Sequence, residues 1–345
     1  MKIVTVMAGR QTGGAETYST DVMLKLHEAG LEQVVVMSRE APRYAELERA
    51  GLRMAPRVLD HPFTWLQKRA LRRLLEEERP DIVHTWMRRA ASIVPGGLAQ
   101  PVIAWFGGYY EPRHFHRCTH FVGVTKDIVA HMHRRGVSAG RAFYIPTFPT
   151  VLEEPRIPRA PLDTPDTAKV LLTLSRLHPK KGLDTFLKAL AGLPDDYYAW
   201  IAGDGPLRGE LEALAAGLGV SDRVRFLGWR TDRGALLRSA DVCVLPSRYE
   251  PFGTVILEAW AAGTPLVAAM SAGPAAHVRD GVDGLLVAID DVEALATAMR
   301  RAASDEELRR RLIAEGCASY ERSFTPAAIT RQWLEFYAEL ATRRI

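Results

Sequence analysis

Two carboxylates eight residues apart, in Glu250-Pro-Phe-Gly-Thr-Val-Ile-Leu-Glu258, are the residues of this chain best placed to do chemistry. Glu250 precedes a Pro/Gly turn signal. Glu258 sits in an apolar helical run with Val255, Ile256, Leu257, Ala259 and Trp260 around it. An ionised carboxylate in such a run is costly to bury unless something hydrogen-bonds to it, and a ligand with paired hydroxyls, such as a ribose, would do so. Gly253 lies where the helix should begin, so the bare N–H groups there, from Thr254 onward, are suited to a phosphate. Upstream, Ser175-Arg176-Leu-His-Pro-Lys-Lys181-Gly182 joins a strand to a helix. Arg176 and Lys181, five apart across a tight turn, supply the fixed positive charge that a diphosphate requires. Lys180 is an equal rival to Lys181 on spacing alone.

Weaker signals share the pattern of a strand ending in glycine. Gly203-Asp-Gly205 and Phe226-Leu-Gly228-Trp-Arg230 each close a strand; the first permits close backbone approach, and the second suits a place beside a nucleotide base, although a plain turn explains either. In the first half, Gly13-Gly14-Ala15-Glu16 follows the first strand but is neither G-x-G-x-x-G nor a P-loop. His84, Trp86 and Arg88 end another strand, and Trp105-Phe106-Gly-Gly-Tyr109-Tyr110 ends a third. Aromatic rings stack on sugars and arginines clamp anions; a core role for the aromatics with the arginines at the surface is the other reading, and both stay open. There is no H-E-x-x-H, G-x-S-x-G or D-x-D, so the site is expected to hold no metal and to neutralise phosphates with Arg176, Lys181 and a helix terminus.

The elements that must position these residues alternate. Short apolar runs at Lys2–Met7, Gln33–Met37, Ile82–His84, Val102–Trp105 and His120–Val124 are separated by helical segments such as Ala15–Ala29, Phe63–Glu78 and Asp127–Arg135. A stretch with four prolines, from about Thr150 to Thr167, reads as a linker. Alternation then resumes with strands Val170–Ser175, Tyr198–Ala202, Val224–Leu227, Val242–Leu245 and Leu266–Ala269 and helices between and after them. Parallel sheets covered by helices are expected, in tandem rather than as a sequence repeat, with ligands at the carboxyl ends of the strands. At 345 residues the chain has room for two domains.

Composition is that of a soluble globular protein, with 25% charged and 47% hydrophobic residues. Cys118, Cys243 and Cys317 are too scattered for a disulfide framework or a zinc site. The first apolar run is too short for a signal peptide, and no run is long enough to span a membrane. A cytoplasmic protein is expected. The net charge of +4 is uneven: residues 1–150 hold 21 Lys and Arg against 14 Asp and Glu, and residues 151–345 hold 24 against 27. A basic first half suits an anionic partner; no nucleic-acid reader motif is present. Lys68, Arg69, Arg72 and Arg73 share a helix with Trp65, Leu66, Leu71, Leu74 and Leu75, which suits docking on anionic lipid as well as an ordinary core-facing helix with a charged back.

Taken in order, the strand–Arg176–Lys181–Gly182 segment, Gly203 and Gly205, Phe226-Leu-Gly228, and Glu250-Pro-Phe-Gly253 with Glu258 resemble the retaining nucleotide-sugar glycosyltransferases of family 4. The likeness is strong over residues 170–290 and weaker but continuous elsewhere. It implies a GT-B fold: two Rossmann-like doubly wound domains facing a central cleft. The first is an acceptor-binding domain over 1–150, then a linker over 151–167, a nucleotide-sugar-binding domain over 168–325, and a C-terminal helix over 326–345 that packs back on the first domain. It implies transfer of a hexose from a nucleotide sugar, UDP-linked, to an anionic saccharide or glycolipid such as lipopolysaccharide core. The donor is a co-substrate, and no cofactor or metal is expected. Peripheral contact with the inner face of the cytoplasmic membrane is a further expectation. By position, Arg176 and Lys181 would hold the diphosphate, Glu258 the ribose, and Glu250 with Phe252, Gly253 and Thr254 the sugar and phosphates. Arg230 would lie by the base, Gly203 and Gly205 in the donor loop, and Gly14 beside the donor. Gly13, His84, Trp86, Arg88, Phe106 and Tyr109 would face the acceptor. Front-face attack with the departing phosphate taking the acceptor proton leaves Glu250 as an electrostatic helper beside Arg176 and Lys181. The alternatives are a glycosyltransferase for soluble oligosaccharides or small molecules, and a sugar-nucleotide-binding protein without turnover. There are three departures from the family pattern: Phe106 stands where many relatives have histidine, Thr147-Phe148 follows Ile145-Pro146 in place of Asn-Gly, and Ala272 and Ala276 replace a glycine and a glutamate.

Overall fold

A computed structural model of the chain describes residues 1–9, 14–150 and 154–342. The backbone forms two compact units, Met1–Phe148 with Pro326–Ile345, and Pro149–Thr325.

The first unit is built on seven strands: β1 (Lys2–Met7), β2 (Glu32–Met37), β3 (Arg53–Met54), β4 (Ile82–Trp86), β5 (Val102–Phe106), β6 (His120–Gly123) and β7 (Ala142–Tyr144). All pairings are parallel, in the order β3-β2-β1-β4-β5-β6-β7. Every residue of β4 and β5 is buried, which requires cover on both faces and explains why these strands read as continuous apolar runs without alternation. The cover includes α1 (Gly14–Glu28), α2 (Tyr44–Arg49), α3 (Thr64–Glu78), α4 (Met87–Ser92) and α5 (Lys126–Arg134). Thr125 caps α5 by accepting from the Ile128 amide at 3.0 Å. The edge strands β3 and β7 have two and three residues and carry too little pattern to be read from sequence.

The second unit has six parallel strands, β8 (Lys169–Leu174), β9 (Tyr197–Ala202), β10 (Val224–Gly228), β11 (Val242–Leu245), β12 (Leu266–Ala269) and β13 (Leu285–Val287), in the order β10-β9-β8-β11-β12-β13. Its helices are α6 (Leu183–Ala191), α7 (Arg208–Gly217), α8 (Arg233–Ser239), α9 (Thr254–Ala262), α10 (Ala272–His277), α11 (Val292–Ser304) and α12 (Glu306–Ser323). Asp291 and Asp305 cap α11 and α12 through the Ala294 and Leu308 amides. A single core runs beneath them, with Leu171, Phe186, Ile201, Val244, Val267 and Met299 all at or near zero exposure.

The proline-rich stretch is less independent than its composition suggests. Residues 154–167 lie on the second unit: the Ile157 amide donates to Ser239 Oγ at 2.7 Å, Arg159 pairs with Asp241 at 2.8 Å, and Trp200 Nε1 donates to Thr164 Oγ1 at 3.0 Å. Prolines break periodicity without preventing side-chain anchoring, so a strap looks like a linker in sequence.

The last helix, α13 (Pro326–Thr342), belongs to the first unit. Trp333 and Tyr337 are fully buried there. Tyr337 Oη lies 2.7 Å from His84 Nδ1, and Trp333 Nε1 donates to Tyr18 Oη at 3.3 Å. Among the described residues no helix is long and apolar enough to cross a membrane.

Candidate functional site

In the second sheet the chain leaves β8 first toward β9 and later toward β11. The strand order therefore reverses between β8 and β11, and the carboxyl ends of those strands bound a crevice suited to a ligand. Three glycines let the loops crowd there. The Gly203 amide donates to the Gly228 carbonyl at 2.7 Å. Gly203 has φ +148°, and a Cβ on it would stand only 1.9 Å from the Ser175 carbonyl oxygen. A Cβ on Gly205 would lie 2.5 Å from the Leu177 carbonyl oxygen. These two residues thus seat the β9 loop against the Ser175–Leu177 turn. The third, Gly253, has φ +87° and turns the chain into α9.

Lys181 and Glu250 come together: Nζ stands 2.5 Å from Oε2, with both side chains mostly buried. Lys180 points elsewhere, its ammonium 4.6 Å above the Tyr249 ring, so the two lysines that spacing alone could not separate have different partners. The Glu250 carbonyl accepts from the Gly273 amide at 2.7 Å, and a Cβ on Gly273 would meet the Phe252 carbonyl oxygen at 2.3 Å. Phe252 is buried with its ring against His277, centroids 4.5 Å apart. Its side chain supports the loop from behind, leaving backbone as its means of touching a ligand. Burial lowers the His277 pKa to about 4, so this support is neutral. Thr254 is exposed at the start of α9, where the first amides of the helix have no intrahelical acceptor.

Glu258 lies one turn inside α9, with a side chain 2% exposed. Arg233, at the first position of α8, reaches its Oε1 at 2.6 Å. Oε2 is buried and has no partner among the described residues. Burial raises the Glu258 pKa, and Arg233 offsets only part of that. The hydroxyls of Ser175, Ser247 and Ser271, which follow β8, β11 and β12, are likewise buried without partners. Unsatisfied polar groups are rare in folded chains, and their concentration at one end of one sheet marks a place for a polar ligand. Arg176, exposed and without an ion pair among the described residues, shares a cavity of about 130 Å³ with Arg230, Arg233, Gly203, Trp229 and Val255. Arg230 is held by Asp232 at 2.5 Å. Sequence reasoning missed Arg233; the signal was its place at a helix start three residues after Arg230, with a buried carboxylate elsewhere still in need of a cation.

The expected acceptor residues of the first unit divide. Gly13 lies outside the described residues, and Gly14 opens α1 at the surface. His84, Trp86 and Phe106 are no more than 1% exposed. Trp86 Nε1 donates to Thr5 Oγ1 at 3.0 Å and its ring packs against Trp105. Phe106 packs on Phe115, Phe121 and Tyr110. Burial also holds the His84 pKa down at about 3, leaving a neutral ring. An acceptor contact by these three side chains is corrected to a core role: β4 and β5 extend farther than their apolar runs suggested, and α13 covers His84 and Trp86. Arg88 is exposed on α4. Tyr109 is half-buried, and its hydroxyl donates to Asp127 at 2.6 Å. Among the described residues no group of three or more His, Cys, Asp or Glu side chains could hold a metal ion.

Residues 156–318 match the glycosyl transferases group 1 family, and residues 12–148 match Glycosyltransferase Family 4. The lipopolysaccharide core biosynthesis glycosyltransferase LpsE of Rhizobium meliloti is 33% identical over 98% of this chain and 99% of its own length. The chain is a family 4 glycosyltransferase. A second such enzyme of that organism, LpsD, is 32% identical over the whole of both chains. Among solved structures, HepE of Anabaena in complex with UDP-glucose aligns with a TM-score of 0.81 at 22% identity, covering 98% of this glycosyltransferase and all of that chain. This likeness shows the GT-B fold. The family and fold expected from Arg176, Lys181, Glu250 and Glu258 are those found.

Proposed function

We propose that this glycosyltransferase moves a hexose from a UDP-linked donor to an anionic saccharide or glycolipid of the lipopolysaccharide-core kind, with retention and without a metal ion. One observation carries the donor reading: the buried, unpartnered Oε2 of Glu258, at the same strand ends as Arg176, Arg233 and Lys181. A carboxylate oxygen that lacks a donor, beside a set of cations, is the inverse image of a nucleoside diphosphate, which offers ribose hydroxyls and phosphate oxygens. The HepE complex with UDP-glucose supports a UDP donor. The names of LpsE and LpsD support the acceptor class, as does the basic first half of the chain.

In this reading the ribose donates to Glu258 Oε2. Arg176 and Lys181 bind the diphosphate, assisted by the first amides of α9. Phosphate drawing Lys181 toward itself loosens the Lys181–Glu250 pair and turns Glu250 toward the sugar. The bond from the anomeric carbon to the diphosphate oxygen breaks as the acceptor oxygen bonds to the same face. The acceptor proton passes to the departing phosphate, and the products are the glycoside and the nucleoside diphosphate. The cations stabilise the charge growing on the leaving group. Calorimetric titration of UDP, GDP and ADP with metal chelated tests the donor. Selective UDP binding is expected; GDP selectivity redirects the search to other donors, and binding of none of the three sinks this reading of the site.

A further inference from the structure

Two residues before Glu250 stands a cation with no role in the proposed donor complex. Arg248 follows β11 and Ser247 on the loop that leads to Gly253. Its place invites a third phosphate contact beside Arg176 and Lys181, and its bonds exclude one. Nε donates to both Asp290 oxygens, at 2.8 and 2.9 Å. Nη1 donates to the Pro179 carbonyl at 2.9 Å and to Asp184 Oδ1 at 2.8 Å. Nη2 donates to Asp184 Oδ2 at 2.7 Å and to Thr185 Oγ1 at 3.2 Å. A guanidinium has five N–H groups, and all of them are engaged. Two carboxylates against one cation also leave the cluster net negative, which repels phosphate.

What the cluster does is join loops. Its partners come from the turn before α6 (Pro179), the first turn of α6 (Asp184 and Thr185) and the segment after β13 (Asp290). Thr185 Oγ1 in turn donates to Asp290 at 2.7 Å. Asp290 has φ +63°, a strained conformation that persists where its surroundings over-determine it. Hydrogen bonds from Arg248 hold the carboxyls of Asp184 and Asp290 below the usual range. The side chains of Arg248, Asp184 and Asp290 remain 31%, 36% and 47% exposed, and ion pairs at that depth add little to stability. Their consequence is geometric.

Neighbouring contacts extend the join. The Tyr249 amide donates to the Lys180 carbonyl at 3.1 Å, and the Lys180 ammonium rests on the Tyr249 ring. Gly182, at φ +62°, passes so close to Pro246 that a Cβ would stand 2.1 Å from its carbonyl oxygen. Residues 179–182 are thus held against residues 246–250 at four points: Gly182 on Pro246, Pro179 on Arg248, Lys180 on Tyr249, and Lys181 on Glu250.

We infer that Arg248, braced by Asp184 and Asp290, is a positioning residue for the donor phosphates: it fixes the turn that aims Lys181 beside Glu250 and touches no ligand itself. This role rests on Lys181 as the diphosphate partner and goes one step beyond it, to the residue that aims it.

The test is calorimetric titration of UDP and of uridine into the full chain carrying Arg248→Met, Lys181→Ala, or both. A misplaced Lys181 loses a phosphate contact, so Arg248→Met should weaken UDP by about tenfold or more, the effect of losing one charge-assisted hydrogen bond, and leave uridine unchanged. The double variant should bind UDP no more weakly than Lys181→Ala alone, because changes that act through one contact do not add. Arg248→Lys keeps the charge without the planar fork and should fall short of the wild type. Asp184→Asn removes the bidentate pair, should show the same selective loss, and decides the matter if Arg248→Met does not fold. Equal losses for UDP and uridine, additive losses in the double variant, or full recovery in Arg248→Lys each overturn the inference. A selective loss in Lys181→Ala without one in Arg248→Met rejects the positioning role and leaves the donor reading standing. A Lys181→Ala variant that does not separate UDP from uridine removes Lys181 from the phosphates, and the role of Arg248 with it.

Discussion

Replacing Glu258 with glutamine removes a buried negative charge but keeps an oxygen for Arg233 to donate to. In the free protein the charge brings little stability, because burial raises the Glu258 pKa and Arg233 compensates only in part. The variant should therefore match or exceed the wild type in thermal stability at neutral pH. In the proposed complex the charge matters, because Oε2 has no partner among the described residues and would accept from the ribose. A hydrogen bond to a charged group contributes about 1.5–3 kcal/mol, so the Kd for UDP should rise roughly 10- to 150-fold. Uridine should lose the same factor, since the contact is to ribose. The pH dependence follows from the sign of the shift. A carboxyl whose folded pKa is raised takes up a proton in the folded state first, so the wild type gains stability relative to the variant as pH falls from that raised pKa toward the ordinary value of 4.5. A ligand that donates to the ionised form lowers the pKa again, so UDP affinity of the wild type should fall through the same interval while that of Glu258→Gln stays level. Calorimetry and thermal melts on both proteins over this range make the measurement. Unchanged UDP binding by the variant refutes the assignment, and so does a loss seen for UDP but absent for uridine.

Lys181→Ala should weaken UDP far more than uridine, because in the proposed complex it binds phosphate; equal weakening places Lys181 elsewhere. Glu250→Ala should cut turnover sharply while nucleotide binding mostly persists, and unchanged turnover in a transfer assay removes Glu250 from the reaction. Gly203→Ala forces a β-carbon against the Ser175 carbonyl at a φ of +148°. Backbone strain of this kind costs about 1–3 kcal/mol before the overlap is counted, so chemical denaturation should show at least that loss, with UDP binding reduced in parallel. Folded-state pKa values of about 3 for His84 and about 4 for His277 lie below the ordinary 6.5. Both rings stay neutral in the fold while the unfolded chain protonates, so stability is full above about pH 6.5 and should fall as acid is added, by up to about 1.4 kcal/mol per pH unit for each ring until its folded pKa is reached. A His84→Gln variant with an unchanged acid slope would show that His84 does not contribute to it.

The second unit was the more legible because its signals are local. Val242–Leu245 and Leu266–Ala269 have the bounds that their apolar patterns suggest. The glycines at 203, 205 and 253 mark close approach and positive φ, which few other residues tolerate. What escaped were facts about pairing at a distance. Arg233 and Glu258 stand 25 positions apart, and nothing in either neighbourhood reveals that they meet. The buried aromatics of the first unit misled for the same reason: a tryptophan ending a strand looks alike in a sugar site and under a helix. Only α13, arriving more than 200 residues later, decides that Trp86 and His84 are core. Arg53–Met54, Ala142–Tyr144 and Leu285–Val287 are edge strands too short to carry a period.

Glu250 and Glu258 differ in kind because Gly253 stands between them. Gly253 begins α9, so Glu250 is carried outside the helix and Glu258 one turn within it, about 6 Å along the axis from Thr254. The outer carboxylate keeps a lysine partner and partial contact with water. The inner one is dry, with a single arginine on one oxygen and nothing on the other. Between them lie the free amides of the helix start. A ligand laid across that start would meet, in order, a partly solvated carboxylate that can exchange its partner, a set of fixed donors, and a desolvated acceptor. Sugar, diphosphate and ribose are chemically matched to those three places in that order, and reversing the ligand would set phosphate against the buried carboxylate. Under the proposed donor reading, the polarity of the helix would set which way a nucleotide sugar lies before any side chain distinguishes one base from another.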